Sequence, residues 1–167
     1  DLSNLAPETY IRNIEALGQL TELSLSGFTG SVDQIGLGDF GSVESVIGSE
    51  GDDKFNFADS SVNNLPGTAV DFNLGAGDDT INLDYLYLRN SPLSITGDWI
   101  GGAGEDTFYV GRTNGGLLDL TGITLTGFEN LITGHSDTTL LLTETQANSL
   151  NITGSGNYLI KLSDGTI

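Results

Sequence analysis

Apolar and polar positions alternate over short stretches of this chain. Phe55 and Phe57, Ile81 and Leu83, and Phe108 and Val110 each stand at positions i and i+2. A period of two is that of a strand with one face buried. Each pair follows a turn rich in glycine and acid: "GSEGDD" (48–53), "LGAGDD" (74–79) and "GGAGED" (101–106). Ahead of each turn stands another apolar pair: Val46 with Ile47, Phe72 with Leu74, Trp99 with Ile100. A strand–turn–strand unit thus recurs, with Asp53, Asp79 and Asp106 in register at intervals of 26 and 27 residues. A unit this short cannot bury its apolar row alone, and stacking on its neighbours supplies the missing partner. The pattern predicts an all-β, right-handed parallel β-solenoid with coils of about 27 residues.

Two weaker copies flank the three good ones. "FENLITGHSDTTLLL" (128–142) aligns without gaps on "VESVIGSEGDDKFNF" (43–57), pairing Leu131 with Val46 and Leu140 with Phe55. "NIEALGQLTELSL" (13–25) shares the same opening register. The expected layout is a single domain over 1–167: an N-terminal cap and first coil (1–42), a repeat core (43–142), and a C-terminal cap with the final strands (143–167). "APETYIRNIEALG" suits either a short helix or a capping strand, since a solenoid needs atypical ends. Thr143 and Gln146 stand at capping-box spacing and predict one or two helical turns. "NITGSGNYLIKLSDGTI" reads as two strands around a glycine turn.

Composition narrows the partners. Five Lys+Arg against 23 Asp+Glu in 167 residues give a formal charge of −18. Such a field repels phosphate, which argues against nucleic acid and anionic membrane. Without cysteine, disulfides and zinc–thiolate sites are excluded. No apolar run is long enough for a transmembrane helix, and "DLSNLAPETY" lacks the basic and apolar regions of a signal peptide. His135, with Ser136 and Asp137 beside it, reads as an exposed turn residue rather than part of a triad, and no enzyme is expected. Trp99, Tyr85, Tyr87 and Tyr109 offer a sugar-stacking platform, but the phase of Trp99 favours the core.

The acidic turns carry the chemistry. Stacked coils lie about 4.8 Å apart, so Asp53, Asp79 and Asp106 fall in one column on one edge. Carboxylates about 5 Å apart repel by roughly 1 kcal/mol in water and by more near a protein surface. A column of them needs a cation between layers. The donors on offer are carboxylates and turn carbonyls, a hard oxygen set that suits Ca²⁺ ahead of Mg²⁺, zinc or copper.

These turns resemble the nonapeptide G-G-x-G-x-D-x-U-x of the RTX calcium-binding repeat family. "GGAGEDTFY" (101–109) matches every defined position, "GSEGDDKFN" (48–56) departs at Ser49, and "LGAGDDTIN" (74–82) departs at Leu74. The resemblance implies Ca²⁺ held between turns by Asp53, Asp79 and Asp106, with ligands from the turn residues Gly48, Glu50, Gly51, Gly75, Ala76, Gly77, Gly102, Ala103 and Gly104. Family nonapeptides run in tandem, two per coil; one per coil here implies calcium on a single edge, with two inter-layer sites. Asp52, Asp78 and Glu105 read as solvated acids.

The expected function is a calcium-stabilised extracellular module of a bacterial cell-surface protein (surface layer, filament or adhesin), exported by type I secretion and folding on Ca²⁺ binding. Expected partners are calcium ions, copies of itself or neighbouring domains, and cell-surface polysaccharide. The alternative is an accessory calcium-binding module of a secreted polysaccharide-acting enzyme.

Overall fold

The computed structural model describes residues 11–14, 21–36, 44–56, 69–83, 93–112, 116–135, 138–154 and 158–163. Within them the chain is a parallel β-solenoid. Successive strands alternate between two seven-stranded sheets. The first sheet stacks β1 (Ile11–Ile14), β3 (Val32–Gly36), β5 (Lys54–Asn56), β7 (Thr80–Leu83), β9 (Thr107–Arg112), β11 (Asn130–His135) and β13 (Asn151–Gly154) in that order. The second stacks β2 (Glu22–Ser24), β4 (Ser45–Ile47), β6 (Asp71–Ala76), β8 (Leu93–Ala103), β10 (Gly116–Thr126), β12 (Thr138–Leu142) and β14 (Tyr158–Leu162). Each strand pairs only with strands one coil away, so every row of the core is a column of equivalent residues.

One such column is Phe55, Ile81, Phe108 and Leu131, all fully buried. Facing it in the second sheet stand Leu23, Val46, Phe72 and Trp99. The aromatic members contact edge to face, from Phe55 through Phe72, Trp99 and Phe108 to Phe128, with centroids 5.9, 5.0, 5.4 and 6.4 Å apart. Such contacts add about 0.5–1.5 kcal/mol each beyond area burial. The Trp99 ring nitrogen donates to Val70 O at 2.9 Å, which satisfies its one polar atom in the core.

Several expectations are corrected. Of the apolar pairs before the turns, Phe72 and Leu74, two residues apart, are both buried, whereas in the consecutive pair Trp99 is buried and Ile100 is 39 % exposed, because consecutive strand side chains point to opposite faces. The alignment of 128–142 on 43–57 is half a coil out of phase. Leu131 pairs with Phe108 in the first sheet, whereas Val46 belongs to the second; Leu140 pairs with Leu118 in the second, whereas Phe55 belongs to the first. The two strands of a coil carry the same apolar alternation, so identity of pattern does not say which sheet a segment enters. The N-terminal echo is also shifted, since Leu23 stacks on Val46. Coil length varies: hydrogen-bonded equivalents are 26 and 27 residues apart in the middle, 23 from Asp106 to Glu129, and 21 from Val32 to Asp53.

At the ends, Ile11–Ile14 is a strand. His135 closes β11 opposite Arg112 rather than lying in a turn. The strands around "GSG" separate into different sheets as β13 and β14. Helix α1 (Glu144–Ser149) begins at Thr143 with both bonds of the capping box. Its buried Gln146 donates from Nε2 to Leu120 O and Ile123 O, both at 2.8 Å. A short helix thereby ends part of a sheet whose carbonyls would otherwise await another strand. Phe57, Tyr85 and Tyr87 lie outside the described residues.

Candidate cation column

Each turn hands the chain from the second sheet to the first, and the residue after its last acid opens the next strand. Thr80 N–H donates to Asp53 O at 2.8 Å and Thr107 N–H to Asp79 O at 2.8 Å, so the ladder begins at that point in every coil. The coils approach closely at the glycines ahead of it. Gly102 has φ +117°, and a Cβ there would lie 2.0 Å from Gly75 O. No side chain fits that position, and a non-glycine residue would be strained as well.

The aspartates form one column, as the repeat predicts, but they point inward. Asp53, Asp79 and Asp106 are 2 %, 1 % and 0 % exposed. Each carboxylate reaches back one coil: Asp79 Oδ1 accepts from Asp53 N at 2.7 Å, and Asp106 Oδ1 accepts from Asp79 N at 2.9 Å. Glu129 continues the series, its Oε2 accepting from Asp106 N at 2.8 Å. At the other end Asp53 Oδ1 accepts from Val32 N at 3.0 Å. Val32 is fully buried, so the acids stop at an apolar residue in the first coil. Asp52, Asp78 and Glu105 are exposed, as expected, and form an outer ladder running the opposite way: Asp52 Oδ1 accepts from Asp78 N, and Asp78 Oδ1 from Glu105 N, both at 2.9 Å.

The inner column is unevenly satisfied. Asp53 has its second oxygen on Ser49 N at 2.6 Å and its first also on Ser49 Oγ at 2.8 Å. Asp79 Oδ2 and Asp106 Oδ2 are buried with no hydrogen-bond partner. Burial raises all three carboxyls above the ordinary range. Asp79 is pushed up to about 8, by burial first and then by the neighbouring charges of Asp53, Asp106 and Asp52, against the lowering effect of the Asp53 N–H. Asp106 is raised by burial and by Glu129 and Asp78; Asp53 is raised by burial, with the Ser49 and Val32 bonds working against it.

The remaining residues expected at the site lie in the same turns. Gly48 is buried, Glu50 exposed with its N–H on Phe28 O, and Gly51, Gly75, Ala76 and Gly77 are partly buried. Gly102, Ala103 and Gly104 are exposed. Ala103 O accepts from Gly77 N at 2.9 Å, which leaves it one lone pair. Among the described residues no three His, Cys, Asp or Glu side chains converge on one point. A cation here would bind between two carboxylates and complete its shell with carbonyls or water. Hard unpaired oxygens suit Ca²⁺ or Mg²⁺ and no softer metal.

Sequence reasoning missed two participants. Glu129 was hidden because its turn, from Gly127 to Glu129, is shorter than the others. Ser49 was visible only as a departure from the glycine pattern. Among the described residues no helix is long and apolar enough to cross a membrane. Comparison with protein-family models, curated proteins and solved structures gives no match.

Proposed function

We propose that this chain is a calcium-stabilised structural module of an extracellular bacterial surface protein, of the RTX type its turns resemble. The observation that supports it is the pair of buried, partnerless carboxylate oxygens on Asp79 and Asp106. A buried ionised carboxylate without a partner is costly. A cation bridging the coils would remove that cost and convert binding energy into folding energy. Sites built from few carboxylates suit the millimolar calcium found outside cells. The stacking of equivalent residues in rows supports a scaffold. Self-association with further copies or neighbouring domains belongs to the same reading.

The test is thermal unfolding of chelator-treated protein titrated with calcium, with magnesium in parallel and light scattering recorded. Calcium at about 100 times its dissociation constant stabilises by about 2.7 kcal/mol. The expected result is a calcium-specific rise in Tm that Asp79→Asn reduces. An unchanged Tm, or an equal response to both ions, refutes the proposal. A parallel rise in scattering supports assembly; flat scattering refutes that part.

A further inference from the structure

The three repeated aspartates are not equivalent, and the difference originates in one residue. Where the second and third turns have Gly75 and Gly102, the first has Ser49, which is 2 % exposed. A side chain at Gly75 or Gly102 would collide with the coil beneath, its Cβ lying 2.1 Å from Ser49 O or 2.0 Å from Gly75 O. Beneath Ser49 the first coil takes a different path, and the hydroxyl fits against Gly30.

The surroundings of Ser49 Oγ are unusual for a hydroxyl. Three oxygens stand around it: Asp53 Oδ1 at 2.8 Å, Gly30 O at 2.9 Å and Gly51 O at 3.2 Å. Gly51 N–H points at it from 3.2 Å. A hydroxyl carries one proton and can donate to one of these oxygens at a time. A carboxylate oxygen and two carbonyls drawn in from two adjacent coils are the donor types of a hard-cation site. Asp79 and Asp106 each keep Oδ2 bare, the oxygen that in Asp53 accepts from Ser49 N–H, and neither has a hydroxyl on its Oδ1, which accepts only from the preceding coil.

We infer that Ser49 is a built-in substitute for a cation: its N–H satisfies Asp53 Oδ2, its hydroxyl fills the place among Asp53 Oδ1, Gly30 O and Gly51 O that a cation would take, and calcium binds only from Asp79 onward. This rests on the calcium reading above. The first coil junction is consequently assembled without metal, while the junctions at Asp79 and Asp106 require it.

The experiment counts calcium ions per chain, by native mass spectrometry and by isothermal titration, in wild type and in Ser49→Gly. The glycine variant removes the hydroxyl and Cβ but keeps the N–H that binds Asp53 Oδ2. The expected result is one additional ion per chain in Ser49→Gly. An equal count in the two proteins overturns the inference and leaves the calcium reading standing. A wild type that binds no calcium overturns both. Ser49→Ala guards against loss of folding in the glycine variant: with the hydroxyl gone and Cβ retained, calcium should raise its Tm by more than that of wild type. Equal increments overturn the inference.

Discussion

Without divalent cation, this protein should become less stable as pH rises from 4 to 8, opposite to ordinary acid denaturation. Asp79 is the main cause. Its carboxyl titrates near 3.8 when unperturbed and is pushed to about 8 in the fold, chiefly by burial. A group whose pKa is raised by folding contributes stability that is complete below the unfolded value and lost as pH climbs through the folded one. At about 1.4 kcal/mol per unit, the loss from Asp79 alone is of the order of 5 kcal/mol. For a chain of this size that corresponds to a fall in Tm of roughly 10–20 °C. Asp53 and Asp106 are raised too and add in the same direction. The assay is thermal or urea unfolding in chelator between pH 4.5 and 8.5, on wild type and Asp79→Asn. Asparagine keeps the oxygen that accepts from Asp53 N–H and never ionises. The variant should therefore be the more stable of the two at pH 8 and show a flatter profile. Parallel profiles for the two proteins would refute the assignment of this cost to Asp79.

Two further outcomes test the fold around the column. Gly102→Ala, which forces a Cβ to 2.0 Å from Gly75 O at φ +117°, should cost about 3 kcal/mol or more, seen as a lowered urea midpoint with or without calcium. Gln146→Ala strips the partner from Leu120 O and Ile123 O and breaks the capping box. It should cost roughly 2–4 kcal/mol, and hydrogen exchange should accelerate first in α1 and along β10.

Local pattern carried much of this architecture. The i, i+2 apolar pairs and the 26- and 27-residue intervals determined that the chain stacks in coils, because only stacking buries rows that short. They also placed Asp53, Asp79 and Asp106 in one column, and the Thr143–Gln146 spacing located helix α1. What pattern could not assign was sheet membership. The strands at Leu131 and Leu140 alternate just as those at Val46 and Phe55 do, and only hydrogen-bond register shows which stack they join. The three-residue shorter turn before Asn130 therefore hid Glu129.

The direction of the aspartates was likewise a tertiary matter. Adjacent acids in a turn, such as Asp78 and Asp79, are alike in sequence, yet one is exposed and the other 1 % exposed. Strand pairing turns successive side chains to opposite sides, and the inner one meets an amide of the preceding coil. Ser49 depends on the same long-range contact. Nothing in "GSEGDD" reveals that its hydroxyl reaches Gly30, because that oxygen comes from a different coil. The sequence by itself determined the repeat and its acidic edge; the stacking of unequal coils decided which acids are satisfied and which are left without a partner.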